Sequence, residues 1–323
     1  MATLKVKRKN EKRLETKGVL FVTLLFFVLF PYIISGFSEI EKQTISWENK
    51  PGQIWVLEEK IWGLKSIPLE EYLVGMLAAT IPAEYDMETL KAQAIILRSF
   101  CMTYMEKEEG KKIIYDKWLK EYYLEKQDYQ NLWGEKEAEN IQKMQKAVTD
   151  TKGIVLVWNG DIIKPPFCRM SNGNTRDVAE YVVHREKYDY MKTVACQEDE
   201  MAEEFIQYVE ITQKDFEENV KEHFDLKEKN LNKIVLYKDT HNYVKEVEIG
   251  EKIIDGEEFR KALGLVSSCY FLKKVNENIE IKTKGMGHGY GFSQYGANRL
   301  ALKGQDYRYL LNYFFSNITL EKI

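Results

Sequence analysis

Residues 285–304 read GMGHGYGFSQYGANRLALKG. Glycine alternates with Met286, His288 and Tyr290, and Phe292-Ser293-Gln294-Tyr295 follows the ladder. A chain with only 4 histidines places one of them here. Side chains alternate along extended backbone, so an extended 285–292 sends Met286, His288, Tyr290 and Phe292 to one side and leaves the other bare. Bare backbone admits another chain or a flat ligand at close range. Ser293 is placed to cap a helix starting at Gln294, and Gly304 to follow its end. As residues alone, the segment fits two readings: a packed β-arch whose histidine serves a turn, or a place where side chains and amides converge on a ligand.

A second informative stretch, IPLEEYLVGMLAATIPAEYDMETLKAQAIILRSFCMTYMEK, lies far upstream at 67–107. A helix is expected from about Leu69 to Thr80, stopped by Pro82. Asp86 is the expected N-cap of a second helix, with Glu88 in its first turn near the positive helix end. Met87, Leu90, Ala94, Leu97, Cys101 and Tyr104 recur at helical spacing and predict a stripe against a core. Lys91 and Arg98 are two turns apart and share another face. Further along, 108–150 is charged and helical in character. Asn159-Gly160 sits between β-rich runs and predicts a hairpin. Residues 203–228 read as helix, and WVLEEKIWGL, 55–64, as short strands. The chain end reads as a helix and a terminal strand.

The 323 residues are 30% charged and 44% apolar, as in a globular protein. Residues 1–18 hold seven Lys/Arg against two Glu, and the rest of the chain is net acidic. That acidic body excludes a nucleic-acid partner, which needs a basic footprint. The uncharged run GVLFVTLLFFVLFPYIISGF, 18–37, is long enough to cross a hydrocarbon core at about 20 residues. Its basic flank puts the N-terminus in the cytoplasm and the rest outside, as a single-pass cell-membrane protein. A cleaved signal peptide is the rival; the run is long for one and no A-x-A site follows. The expected organisation is a basic stub (1–18), a transmembrane anchor (19–37), a juxtamembrane segment (38–64) and an extracytoplasmic domain (65–323). That domain is read as α/β (α+β), with a helical part (65–150) and a β-rich part (151–323) flanking a groove. Cys101, Cys168, Cys196 and Cys269 lack CxxC spacing, so no zinc ribbon is visible. A Cys168–Cys196 disulfide or a metal site stays conceivable. His184, His223 and His241 show no ligand spacing with His288, which disfavours an unrelated metal or histidine-nucleophile enzyme. No cofactor is expected, zinc being the remote exception.

GMGHGYGFSQYGA resembles the C-terminal signature of the SpoIID/LytB family, G-x-G-H-G-x-G-x-S-Q-Y-G-A. ETLKAQAIILRSF resembles its L-K-A-Q-A-x-x-x-R helix, PPFCRMSNGNTRD its small-residue loop, and YDYMKTVACQED the stretch after it. GEEFRKALGLVSSCYF resembles its E-F-R-x-x-L-G-L-x-S segment, and NYFFSNITL its late aromatic pair. The likeness covers roughly 65–323, more weakly over 107–150. It implies a peptidoglycan lytic transglycosylase of sporulation or wall remodelling. One carboxylic acid protonates the glycosidic oxygen after N-acetylmuramic acid. As a carboxylate it then helps the sugar's 6-hydroxyl close a 1,6-anhydro ring. The family carries that acid in a pattern like A-E-M-P, where this chain reads Ala79-Thr80-Ile81-Pro82. Thr80 stands in place of the acid, and Cys168 where many relatives have histidine. Glu84 is the possible substitute; Glu71 matches a recurrent family position but lies more than two turns before Thr80. The implied glycan groove is formed by Lys91, Arg98, His288, Ser293, Gln294 and Tyr295. Two functions follow: an active transglycosylase using Glu84, or a catalytically inactive member that binds glycan strands or assists a partner wall amidase. Other membrane sporulation proteins are further expected partners.

Overall fold

The computed structural model describes residues 53–60, 63–108, 111–180, 185–226 and 233–323. The apolar run at 18–37, read above as an anchor, lies outside them, as does His184. Among the described residues no helix is long and apolar enough to cross a membrane. Two compact units are present, and the larger comprises Gly52–Leu57 and Ile67–Ile323. Within the smaller, the buried Glu58 carboxylate lies 3.7 Å from Lys65.

The larger unit is mixed α/β. Helix α1 (Leu69–Thr80) and helix α2 (Met87–Met102) run as the sequence predicts, and Asp86 caps α2 by accepting from the Glu88 amide. Leu90, Ala94, Leu97 and Cys101 of α2 join one apolar cluster with α1. The back of α2 is equally buried: Ala92, Ile95 and Ile96 join a second cluster. The stripe therefore understates this helix, which lies between two cores. Helix α3 (Tyr129–Trp133) is short, and helix α4 (Glu137–Asp150) adds Met144, Ala147 and Val148 to the first cluster.

Residues 111–115 form a strand rather than helix, and Ile54–Leu57 run parallel to 112–115. The Asn159-Gly160 hairpin forms as expected, with both residues at positive φ. The terminal strand Thr319–Lys322 pairs antiparallel with Ile154–Trp158. The expected helix at 203–228 is corrected: Ile206–Thr212 is a strand, and only then does helix α5 (Gln213–Phe224) begin, capped by Thr212. Seven residues of β-prone sequence pair with Asn278–Lys284, a partner too distant in sequence to be foreseen. Helix α5 and helix α6 (Gly256–Ala262) cover a third cluster around Phe216, Val247, Phe259 and Tyr270. Helix α7 (Gln294–Ala301) and helix α8 (Tyr307–Phe314) pack on the second, through Ala297, Ala301, Leu310 and Phe314.

Candidate functional site

The glycine ladder is not a strand. Gly285, Gly287, Gly289 and Gly291 take φ of +72°, +104°, +81° and +69°, in the region that favours glycine. A Cβ on Gly285 would collide with the Ser171 carbonyl, and one on Gly291 with that of Pro166. The bare backbone is thus needed to lie against 166–171 of the same chain. Met286 and Met170 exchange amide hydrogen bonds at 2.9 and 3.1 Å, and the Phe292 amide donates to Pro166 at 3.0 Å. Because the ladder twists at each glycine, its side chains do not share one side. Met286 packs with Met170 and Phe205, Phe292 enters the second core cluster, and His288 and Tyr290 line a cleft.

Beyond the ladder, Phe292–Ser293 pairs in parallel with Phe167–Cys168. This two-strand ribbon has a chemically distinct surface at each end. At its start is the cleft, about 510 Å³, lined by His288, Tyr290, Phe167, Tyr122, Tyr188 and Lys164 among others. Lys164 sits 4.9 Å from the ring centres of both Phe100 and Tyr104. The Tyr290 amide donates to Nδ1 of His288 at 3.0 Å, which leaves the neutral ring's proton on Nε2. Burial pushes the His288 pKa down to about 4, so the ring is neutral near pH 7.

At the far end the ribbon closes a ring of contacts around position 80. The Gln294 side-chain amide donates to the Thr80 carbonyl at 2.9 Å. The next amide, of Tyr295, donates to the Arg169 carbonyl at 3.0 Å. The Arg169 guanidinium lies 5.0 Å from the ring centre of Tyr85, which returns the circuit to the turn after Thr80. The Thr80 hydroxyl donates to the Met76 carbonyl at 2.7 Å. Glu84 is exposed, and among the described residues no hydrogen bond or ion pair holds it.

Ser293 caps α7 as predicted, accepting from the Gly296 amide. It also donates to Asp199, which is fully buried and accepts from both the amide and the hydroxyl of Ser171, at 2.8 and 2.6 Å. Burial raises the Asp199 pKa to about 6, against the pull of these donors. Sequence reasoning missed Asp199, Arg169 and Tyr85; the one signal for Asp199 was its place in ACQED, within the family-like stretch.

Lys91 and Arg98 both reach the end of α4, and their contacts are with residues outside this ring. Arg98 is fully buried, forks onto Glu70 at 2.9 and 2.6 Å, and donates to the Ile154 and Val148 carbonyls. Lys91 pairs with Glu88 at 2.8 Å and Asp150 at 3.4 Å. Helix α2 meets α7 instead at Asp86, whose amide donates to Asn298 at 2.7 Å. Cys168 and Cys196 are free, buried thiols, and burial raises the pKa of both. Among the described residues no group of His, Cys, Asp and Glu is arranged to hold a metal.

Comparison with known proteins gives a family match over residues 58–158, to the model described as stage II sporulation protein, SpoIID. The chain is 27% identical over 280 residues to stage II sporulation protein D of Bacillus amyloliquefaciens, covering 85% of this chain and 80% of that one. It is 29% identical over 265 residues to stage II sporulation protein D of Bacillus subtilis (strain 168), covering 80% and 76%. An uncharacterized protein of Brachyspira hyodysenteriae is 26% identical over 264 residues, covering 80% and 67%.

Proposed function

The chain belongs to the SpoIID family, and from that premise we propose that it binds peptidoglycan glycan strands during sporulation without cleaving them. The strand lies along the ribbon, with sugar faces on the aromatic cleft and a polar stretch at the Thr80 ring. Sugars need that mixture of ring surface and hydrogen-bond donors. The apolar run at 18–37 holds the protein at the membrane with this domain outside. Its partners there are the wall and the amidase or other sporulation protein that it assists.

The observation that carries the reading is the Gln294–Thr80 hydrogen bond. It brings the late motif to the place where the family resemblance implies the acid, and a threonine is what stands there. Its hydroxyl is already committed to a helix carbonyl. A threonine cannot replace a general acid, whose loss costs roughly 10²–10⁴-fold in rate. Asp199 has a raised pKa but is sealed under two serines, out of reach of any strand. Glu84 is exposed in the turn after Thr80, and cleavage through it is the second reading.

The test uses full-length protein in detergent with purified glycan strands. Binding without release of anhydro-muramyl ends is expected, and Thr80→Glu is expected to release some. Anhydro ends made by the wild type and lost in Glu84→Gln would replace binding with catalysis. No association with strands would end both readings.

A further inference from the structure

Arg169 differs from the other guanidinium groups whose surroundings are described. Arg98, Arg176, Arg260, Arg299 and Arg308 each face a carboxylate, at 2.6, 3.1, 2.8, 3.9 and 3.7 Å. Among the described residues, Arg169 has no such partner. It is only partly buried, with its planar group over Tyr85 and its backbone tied to Tyr295. Glu84 and Asp199 are close enough to act on the Tyr85 hydroxyl, yet neither pairs with Arg169. Glu84 faces solvent, and Asp199 is spent on Ser171 and Ser293. A partly desolvated cation without a counter-charge is a costly arrangement unless something from outside completes it. The guanidinium is held beside the Tyr85 ring, and its planar fork of N–H groups matches a carboxylate in shape and charge.

We infer that Arg169 receives a carboxylate carried by the bound strand, so that position 80 and its surroundings have changed from donating a proton to holding an anion. This rests on the glycan-binding reading. The strand offers such a group in two forms, the lactyl carboxyl of muramic acid where it is free, and carboxylates of stem peptides where these are attached. The neutral amino sugar beside it offers none, so Arg169 also sets the register in which the strand lies along the ribbon.

The first measurement follows the Arg169 side-chain Nε resonance of full-length protein, assigned by its absence in Arg169→Gln. Titration with N-acetylmuramic acid should shift it, and N-acetylglucosamine should not. The second compares binding of muramic-acid-containing strands with binding of uncharged chitin oligomers. Arg169→Gln should weaken the strands on the order of tenfold, the scale of one charged hydrogen-bonded contact, and leave chitin unchanged. Arg169→Lys, which keeps the charge but not the fork, should recover part of the loss. Strands with and without stem peptides then identify the source of the carboxylate by which of them feels the substitution. An unmoved resonance, or an equal loss for strands and chitin, overturns the inference. Wild-type protein that binds no strand yet shows the muramic-acid shift would remove the glycan-strand reading and keep the carboxylate site.

Discussion

Asp199 and His288 lie beside the same ribbon and titrate in opposite senses. Asp199 has a folded pKa of about 6, above its ordinary 3.8. It therefore adds stability that is complete below 3.8 and is lost as pH rises through about 6. His288 has a folded pKa of about 4, below its ordinary 6.5. Its contribution is complete above 6.5 and is lost as pH falls through about 4. Across pH 4 to 6 the two slopes oppose each other. Relative to wild type, Asp199→Asn should make stability rise more steeply with pH in that window, and His288→Asn should make it flatter. Urea unfolding at several pH values measures both, and slopes unchanged from wild type would show that neither group is buried as described. Gln294 and Tyr295 were legible in the sequence because the contiguous late motif carries them, and Thr80 because Ala79-Thr80-Ile81-Pro82 lines up with a family pattern. Arg169, Tyr85 and Asp199 were not, because each gains its role from a neighbour far away in the chain.

Among the elements, α2 is the most demanding. Its N-cap and its proline-delimited predecessor could be read directly, since capping and helix termination are local. Its second buried face could not be assigned from periodicity, although Ala92, Ile95 and Ile96 stand there. The same helix buries Arg98, whose fork onto Glu70 joins α2 to α1. Removing one member of a buried pair leaves the other charge stranded, at a cost of roughly 3–5 kcal/mol. Glu70→Ala should lower stability on that scale, and denaturant titration would report it. Lys91→Ala, which breaks a more exposed pair, should change stability by about 1 kcal/mol or less. A large effect at Lys91 and none at Glu70 would reverse the structural assignment of that face.

For the molecule as a whole, the mixed α/β class was legible, and, apart from the Asn159-Gly160 hairpin, the sheet partners were not. Strand Ile206–Thr212 has apolar and polar residues that do not alternate cleanly, and its mate comes only after an intervening three-stranded meander and a further strand. The ribbon poses a similar problem, since its strands are two residues long and carry no periodic signal. Two residues at about 3.3 Å each separate its chemically different ends by roughly 7 Å. The side chains named for the cleft and for the Thr80 ring share no member, so substitutions at the two ends should combine almost additively in free energy. Tyr188 lines the cleft and is 37% exposed, so Tyr188→Ala spares the cores. It should weaken strand binding several-fold on its own. With Arg169→Gln the fold-losses should multiply, and a double variant no worse than either single one would mean that the strand does not span both ends.

The ribbon also dictates an order of events during synthesis. The helices that carry position 80 emerge well before the strand and glutamine that complete their pocket, Gln294 following Thr80 by 214 residues. Until then the early core has no lid on that side and must wait with apolar surface exposed, the condition under which partly made chains aggregate. On the glycan-binding reading proposed above, a nascent chain gains its recognition surface only once residues up to Gln294 have emerged and reached Thr80.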